Sequence, residues 1–258
     1  MSTGHTIALL ATAFILGAAP ARSAIINVPA DEPTIQAGIG ASSPGDTVLV
    51  APDVYHETID FAGREVVVAS LFLTTGDEGY VHSTIIDGGG VYGPLASFVS
   101  AEDSLSVLAG LTLQNGNATQ GGAVLCWTGS PRITGCVFRE NAAWNDGGAI
   151  YAAGSSPIIE DCTFLENEAE QMSGGAIGVR SGSPRITGCS FSLNAANETG
   201  GAIFVEDSFP LITDNVIANN TAWVTYGGGI MSRDCSAVIA RNVLSENVTN
   251  GIGGGLFY

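Results

Sequence analysis

Few residues in this chain have types and spacings that could do chemistry, and most of them recur at one interval. Arg132 and Arg185 stand two intervals apart, with Ile158 at the equivalent place between them. A cationic side chain beside carboxylates can abstract a proton or clamp an anionic substrate. Two surface arginines on an acidic chain also serve ordinary ion pairing, which is the expectation here, and no catalytic residue is assigned. Glu160 and Asp161 are adjacent, and Asp214 shares the column of Asp161 two intervals on. They are weak candidates for Ca²⁺, which wants several oxygens at about 2.3–2.6 Å. Gly188 fills the intervening place, leaving roughly 10 Å between the two aspartates if the intervals stack like strands. A solvated acidic face and no cofactor is the expectation. Trp144 and Trp223 each follow a recurring Asn by three residues, on one predicted edge, whereas Trp127 is placed differently. Indoles in such a row suit the faces of sugar rings, and loops packed back on their own coil would explain them as well.

The five cysteines are odd in number. Cys136, Cys162 and Cys189 share a column, and Cys126 and Cys235 lie elsewhere. Stacked at about 4.8 Å, neighbours in the column are within reach of a disulfide. Asn takes over the same column in later copies, so the place wants a small inward side chain, and buried free thiols are expected. The spacing fits no zinc site.

The shared interval explains how these residues come together. Gly-Gly, then Ala or Gly, then an aliphatic residue begins at Gly121, Gly147, Gly174, Gly200, Gly227 and Gly253, at spacings of 26, 27, 26, 27 and 26. Prolines follow at Pro131, Pro157, Pro184 and Pro210, with Ala237 in the fifth copy. The small inner column reads Cys136, Cys162, Cys189, Asn215, Asn242, and a further column reads Asn141, Asn167, Asn194, Asn220, Asn247. Several columns keeping one beat mark a solenoid. Glycine pairs, proline and many Asn are poor in helix interiors, and no stretch holds a 3.6 period for ten residues, so the units are predicted as three short strands joined by turns. Successive units then stack Val124, Ile150, Ile177, Ile203, Ile230 and Leu256 in one ladder, and Phe138, Phe164, Phe191, Ile217 and Leu244 in another. The Asn column is predicted to occupy left-handed turn positions, with each side chain bonding its copy above. The fold class expected is all-β, a single-stranded right-handed parallel β-helix with a short N-terminal capping helix.

Gly174-Gly175-Ala176-Ile177 and Phe164-Leu165-Glu166-Asn167 resemble the repeats of polymorphic outer-membrane proteins, and the chain from about residue 25 is similar more broadly to right-handed β-helix proteins of the pectin-lyase fold. That resemblance implies export to a cell surface, and members acting as pectate lyases use Ca²⁺. Val54-Tyr55-His56-Glu57 resembles a pectinesterase segment, with Asp53 in place of its glycine, but that family's later aspartates and arginine have no match. Polygalacturonase motifs are absent too.

The remaining chain fits an exported solenoid. Residues 7–19 form an uncharged apolar run followed by small residues at Ala19, Ala21 and Ser23, so residues 1–24 are predicted as a signal peptide and 25–258 as one β-helix domain. Pro33 is predicted at the first position of a helix whose Ile35 and Ile39 share a face. Ser43-Pro44-Gly45-Asp46 reads as a type II turn. Strands are predicted at Thr47–Val50, Glu65–Ser70, Ser83–Asp87, Ser104–Leu108 and Leu111–Leu113, with irregular insertions at 74–82 and 88–97. The 25 acidic residues face 8 basic ones, all arginine, for a net charge of −17. Such a surface repels phosphates and polyuronates, which argues against nucleic acid as a partner. No later apolar run is long enough for a transmembrane helix in the mature chain. The open sixth coil predicts either a further C-terminal part or a stacking partner. The expected function is a secreted or outer-membrane-surface scaffold, a non-catalytic passenger binding a glycan or another cell-surface ligand. The alternative is a polysaccharide-active enzyme, a pectate-lyase-like protein or an esterase, with its groove near residues 74–97.

Overall fold

The structure is a computed structural model and describes residues 23–258. The predicted signal peptide, save Ser23 and Ala24, lies outside the described residues. Short apolar runs form strands that never pair within their own turn. Each pairs in parallel with its copy in the turns before and after, so the chain winds as a parallel β-helix with sheets of nine, eight, eight and six strands. One regular turn contributes Ile150–Ala153 to a first sheet, Ile158–Glu160 to a second, Thr163–Leu165 to a third and Glu168–Ala169 to a fourth. The sequence predicts three strands per turn, and there are four. The fourth is two residues long, too short for alternation to reveal it.

The aliphatic ladder pairs as expected: Val124 with Ile150, Ile150 with Ile177, Ile177 with Ile203, Ile203 with Ile230 and Ile230 with Leu256. In the third sheet Phe138, Phe164 and Phe191 stack at centroid distances of 4.9 and 4.7 Å, all fully buried. Ile217 and Leu244 continue that ladder. The core is thus a set of columns of like side chains, each covering its neighbour at the strand spacing.

The bends correct one expectation. The left-handed residue is not the column Asn but the one before it: Glu140, Glu166, Leu193, Asn219 and Glu246 have φ between 53° and 58°. The Asn side chain points inward instead, where buried amides and carbonyls at a bend need partners. Asn141, Asn167, Asn194 and Asn220 each donate from Nδ2 to Oδ1 of the next Asn at 2.9 Å. Each also donates to a carbonyl of the preceding turn, Leu113, Phe138, Phe164 and Phe191 in order. The second bend works alike: Gly135, Asp161, Gly188, Asp214 and Arg241 take positive φ, and Cys136, Cys162, Cys189, Asn215 and Asn242 follow, facing in.

At the N-terminal end, helix α1 (Ile35–Ala41) lies against Val28 and Val48 and buries Ile35 and Ile39 completely. Pro33 falls one residue before the cap rather than at the first helical position, and Thr34 is the cap, accepting from the Ala37 N–H at 3.0 Å. Gly38 permits the contact: a Cβ there would sit 2.8 Å from Val48 Cγ1. The turn at Ser43–Asp46 closes by Asp46 N–H to Ser43 O at 3.0 Å with Gly45 at φ +88°, as its residues require.

The early strands shift by a few residues, to Val67–Ser70, Thr84–Asp87, Val107–Ala109 and Thr112–Gln114, while Thr47–Val50 stands as predicted. The insertions are more ordered than their composition suggests. The first is wider than predicted, running from Phe72 to Ser83 as two short helices, α2 (Phe72–Thr75) and α3 (Gly79–Ser83), and the second runs into a strand at Ala96–Phe98. No helix among the described residues is long and apolar enough to cross a membrane.

Candidate functional site

Three places on this cylinder gather residues with usable chemistry. The first is the fourth sheet and the edge beside it. Ala143, Ala169, Ala196 and Ala222 are stacked partners, so the residues after them, Trp144, Glu170, Asn197 and Trp223, form one outward column. Both indoles are 54% exposed, so neither is packed away under a loop. They do not touch each other: two polar residues separate them, and three strand spacings put them about 14 Å apart. Ala142 and Ala195 leave the adjoining strip low, and Glu168 stands between them. At the N-terminal end the second insertion bends back onto this edge, where the Tyr92 hydroxyl meets Thr119 Oγ1 at 2.9 Å. Trp127 lies apart, at the end of a strand in the first sheet.

The second place is the outer face of the third sheet, where both insertions flank the strand Thr84–Asp87. Asp87 pairs with Gln114 and Gln114 with Arg139. Continuing the register of Tyr55 with Ile86 by one residue brings His56 to the same row. Gln114 Nε2 donates to Asp87 at 2.6 Å, Asn115 Nδ2 at 3.1 Å and the Gly89 N–H at 2.9 Å, and Arg139 Nε donates to Gln114 at 2.7 Å. Burial pushes the Asp87 carboxyl up, but these donors and nearby His56 outweigh it and hold its pKa below the ordinary value. Sequence reading missed this row because the early turns vary in length, so no fixed interval exposes it. The neighbouring Glu57 turns out to be structural: its two oxygens accept the N–H groups of Ile35 and Gln36, each at 3.0 Å, at the start of α1.

The third place is a ladder of alternating charge on the first sheet. Arg180, Glu206 and Arg233 are stacked partners. Arg180 pairs with Glu206 and with the buried Asp146, at 3.0 Å to the latter, and Arg233 pairs with Glu206. Both guanidiniums lie over the Phe204 ring, at 5.0 and 5.3 Å from its centroid. The ladder consumes its own charges and seals Phe204, a structural role. The interval that reveals the glycine pairs also lines up these three residues in the sequence.

The remaining candidates separate. Arg132 and Arg185 do flank Ile158 in one column, and both turn to a single carboxylate, Glu160, with Arg185 Nε at 3.4 Å. Glu160 is therefore held by two arginines. Asp214 is gripped by Arg241, with 2.6 Å to its guanidinium, and that contact lowers its pKa. Asp161 carries no ion pair among the described residues, so the three carboxylates do not converge. No group of three or more His, Cys, Asp or Glu able to hold a metal occurs among the described residues. The five cysteines are free, and all but Cys235 are buried. Burial first, then the neighbouring thiols of Cys136 and Cys189, hold Cys162 well above the ordinary thiol range. As a weak donor its Sγ faces the carbonyl oxygens of Ile133 and Glu160, at 3.7 and 3.2 Å.

Comparison with known proteins adds the fold and no chemistry. A family profile described as a right handed beta helix region matches residues 109–255. Neither the curated proteins nor the solved structures gave a match. The profile covers more than half of the sequence and coincides with the stacked turns, so the chain belongs to the right-handed β-helix region family.

Proposed function

We propose that the protein is an exported, non-catalytic β-helix that binds a glycan along the edge carrying Trp144 and Trp223. The observation that carries this reading is the exposure of both indoles in one column, with Glu170 and Asn197 between them as hydrogen-bonding groups. A sugar face covering roughly 60 Å² of indole is worth about 1.5 kcal/mol at 25 cal/mol per Å², or about tenfold in Kd. Two such platforms spaced about 14 Å apart suit a chain of several sugars better than a monosaccharide. The acidic surface disfavours polyuronates and leaves neutral or basic glycans. Titration of an oligosaccharide panel, read by tryptophan fluorescence and calorimetry, tests this. Trp144→Ala and Trp223→Ala are each expected to weaken binding about tenfold, and Trp127→Ala to leave it unchanged. Equal behaviour of all three variants would refute the reading.

The polar row on the third sheet favours a second reading, an enzyme acting on polysaccharide. An ionised, hydrogen-bonded Asp87 one strand from His56 and two from Arg139 would serve there as a fixed negative charge that positions substrate or steadies a cationic partner, with His56 left to move the proton. Product release from a polysaccharide panel, lost in Asp87→Asn, would favour the enzyme. Binding without turnover leaves the scaffold.

A further inference from the structure

The second insertion leaves a cleft of roughly 350 Å³ at the N-terminal end of the edge that carries the indoles. Tyr92 belongs to both places. Its backbone bridges to Asn117 in the fourth sheet, and its hydroxyl meets Thr119, which is aligned one strand before Trp144. On its other side Tyr92 borders the cleft, together with Val91 and Pro94. The opposite wall is polar, made by Gln36 of α1, Asp60 and Ser97. Asp60 and Ser97 are stacked partners in the first sheet, so the cleft straddles the bend between the fourth and first sheets, the same bend that Trp144 and Trp223 line. Both walls are fixed. Gln36 Oε1 accepts the Asp60 N–H at 2.6 Å, and its Nε2 donates to the Asp60 carbonyl at 3.2 Å. Across the cleft the Gly93 N–H donates to the Asn117 carbonyl at 2.8 Å and the Val91 N–H to that of Gly88 at 2.6 Å. Tyr92 is thus held in place yet is 70% exposed, more than either indole. An apolar wall facing a few hydrogen-bonding groups suits a sugar ring, which has an apolar face and a rim of hydroxyls.

We propose that the glycan edge continues across Tyr92 into this cleft, so that the ligand is an extended, uncharged, linear chain of about six sugars lying along the cylinder axis. The inference rests on the reading of Trp144 and Trp223 as sugar platforms. Stacked strands set the length. From Trp223 it is three strands to Trp144, four to Thr119 and one more to the cleft, about 24 Å in all. A pyranose unit of an extended chain is about as long as one strand spacing, so about four units cover both indoles and about six reach the cleft. A straight column also selects the shape of the chain. Cellulose and chitin run straight along such a column, whereas amylose coils away from it.

Calorimetry on the whole chain tests this with the tetra- and hexasaccharides of cellulose and chitin, and with the hexasaccharide of amylose. At least one straight series is expected to bind, its hexamer about tenfold tighter than its tetramer, and the amylose hexamer is expected not to bind. Tyr92→Ala removes the third ring, and Ser97→Leu fills the cleft without touching an aromatic residue. Each should bring the hexamer to the affinity of the tetramer and leave the tetramer unchanged, whereas Trp144→Ala should weaken both lengths. Equal affinity of tetramer and hexamer, a hexamer advantage that survives either variant, or equal losses for both lengths in those variants would overturn the proposal and leave the indole reading standing. Tight binding of the amylose hexamer would do the same. Binding of none of these chains would also overturn it, and the indole reading falls with it only if the wider oligosaccharide panel fails as well.

Discussion

Asn167 does more than tolerate a turn. Its Nδ2 feeds the Phe138 carbonyl and the Asn194 side chain, and its Oδ1 receives both the backbone N–H and the side chain of Asn141, at 1% exposure. Asn167→Ala takes this partner from the buried Asn141 N–H and the Phe138 carbonyl, while Asn194 Oδ1 keeps the N–H of residue 167 and Asn141 Nδ2 keeps the Leu113 carbonyl. A loss of about 2–4 kcal/mol is expected, seen as a lower urea midpoint at unchanged slope. Asp87 gives the pH dependence. Its folded-state pKa is depressed below the ordinary value of about 3.9. The ionised form is therefore favoured by folding, with a contribution fully present above that ordinary value and lost as pH falls through the depressed one. Asp87→Asn should flatten the acid limb of a stability–pH curve below about pH 4 and lower stability at neutral pH. A curve unchanged in shape would show that Gln114, Asn115 and the Gly89 N–H do not favour the ionised carboxylate.

At the scale of the elements, the glycine pairs decide how closely turns approach. The first glycine of each pair takes positive φ, and the second faces backbone. A Cβ on Gly148 would collide with the Gly175 carbonyl oxygen and lie 2.6 Å from backbone atoms of Glu168. Gly154 also has a positive φ, +57°, but nothing lies within 4 Å of its would-be Cβ. Gly154→Ala should therefore cost only the left-handed conformation, about 1 kcal/mol. Gly148→Ala must push two turns apart and should cost more than about 3 kcal/mol. Parallel urea melts of the two variants check the difference, and equal costs would mean that the turns are not packed as described. Helix α1 shows the same logic. Glu57, in the link between the strands Asp53–Tyr55 and Ile59–Asp60, satisfies the amides at its start, so a seven-residue helix containing two glycines is held by its neighbours rather than by its own propensity.

For the whole molecule, each turn contacts only the turns beside it, so stability is a chain of nearest-neighbour terms. Phe164→Ala removes the middle ring of the Phe138–Phe164–Phe191 stack, at about 3–5 kcal/mol. Hydrogen exchange by mass spectrometry should show the loss of protection centred on residues 121–200, with the turns spanning Thr47–Gln114 little changed. Uniform loss along the chain would mean that the solenoid unfolds as one unit. The formal charge of −17 adds self-repulsion, which the Arg180–Glu206–Arg233 ladder relieves only locally.

The sequence by itself determined the winding. A 26/27 beat carried by glycine pairs, inner Cys or Asn and ladder aliphatics leaves one arrangement in which like side chains cover like, because only stacked turns bury them. The same beat placed Trp144 and Trp223 in one column and Arg132 and Arg185 in another. It could not show that Glu160 would draw both arginines to itself, because that contact runs diagonally between turns. Nor could it place the left-handed residue, since Glu140 and Leu193 are not residues that advertise positive φ. The second insertion and its cleft, the row from His56 to Arg139 and the cap that Glu57 gives to α1 were decided by tertiary structure alone. They join residues from turns of unequal length, and contacts between such turns are set by packing in three dimensions, where no sequence interval records them.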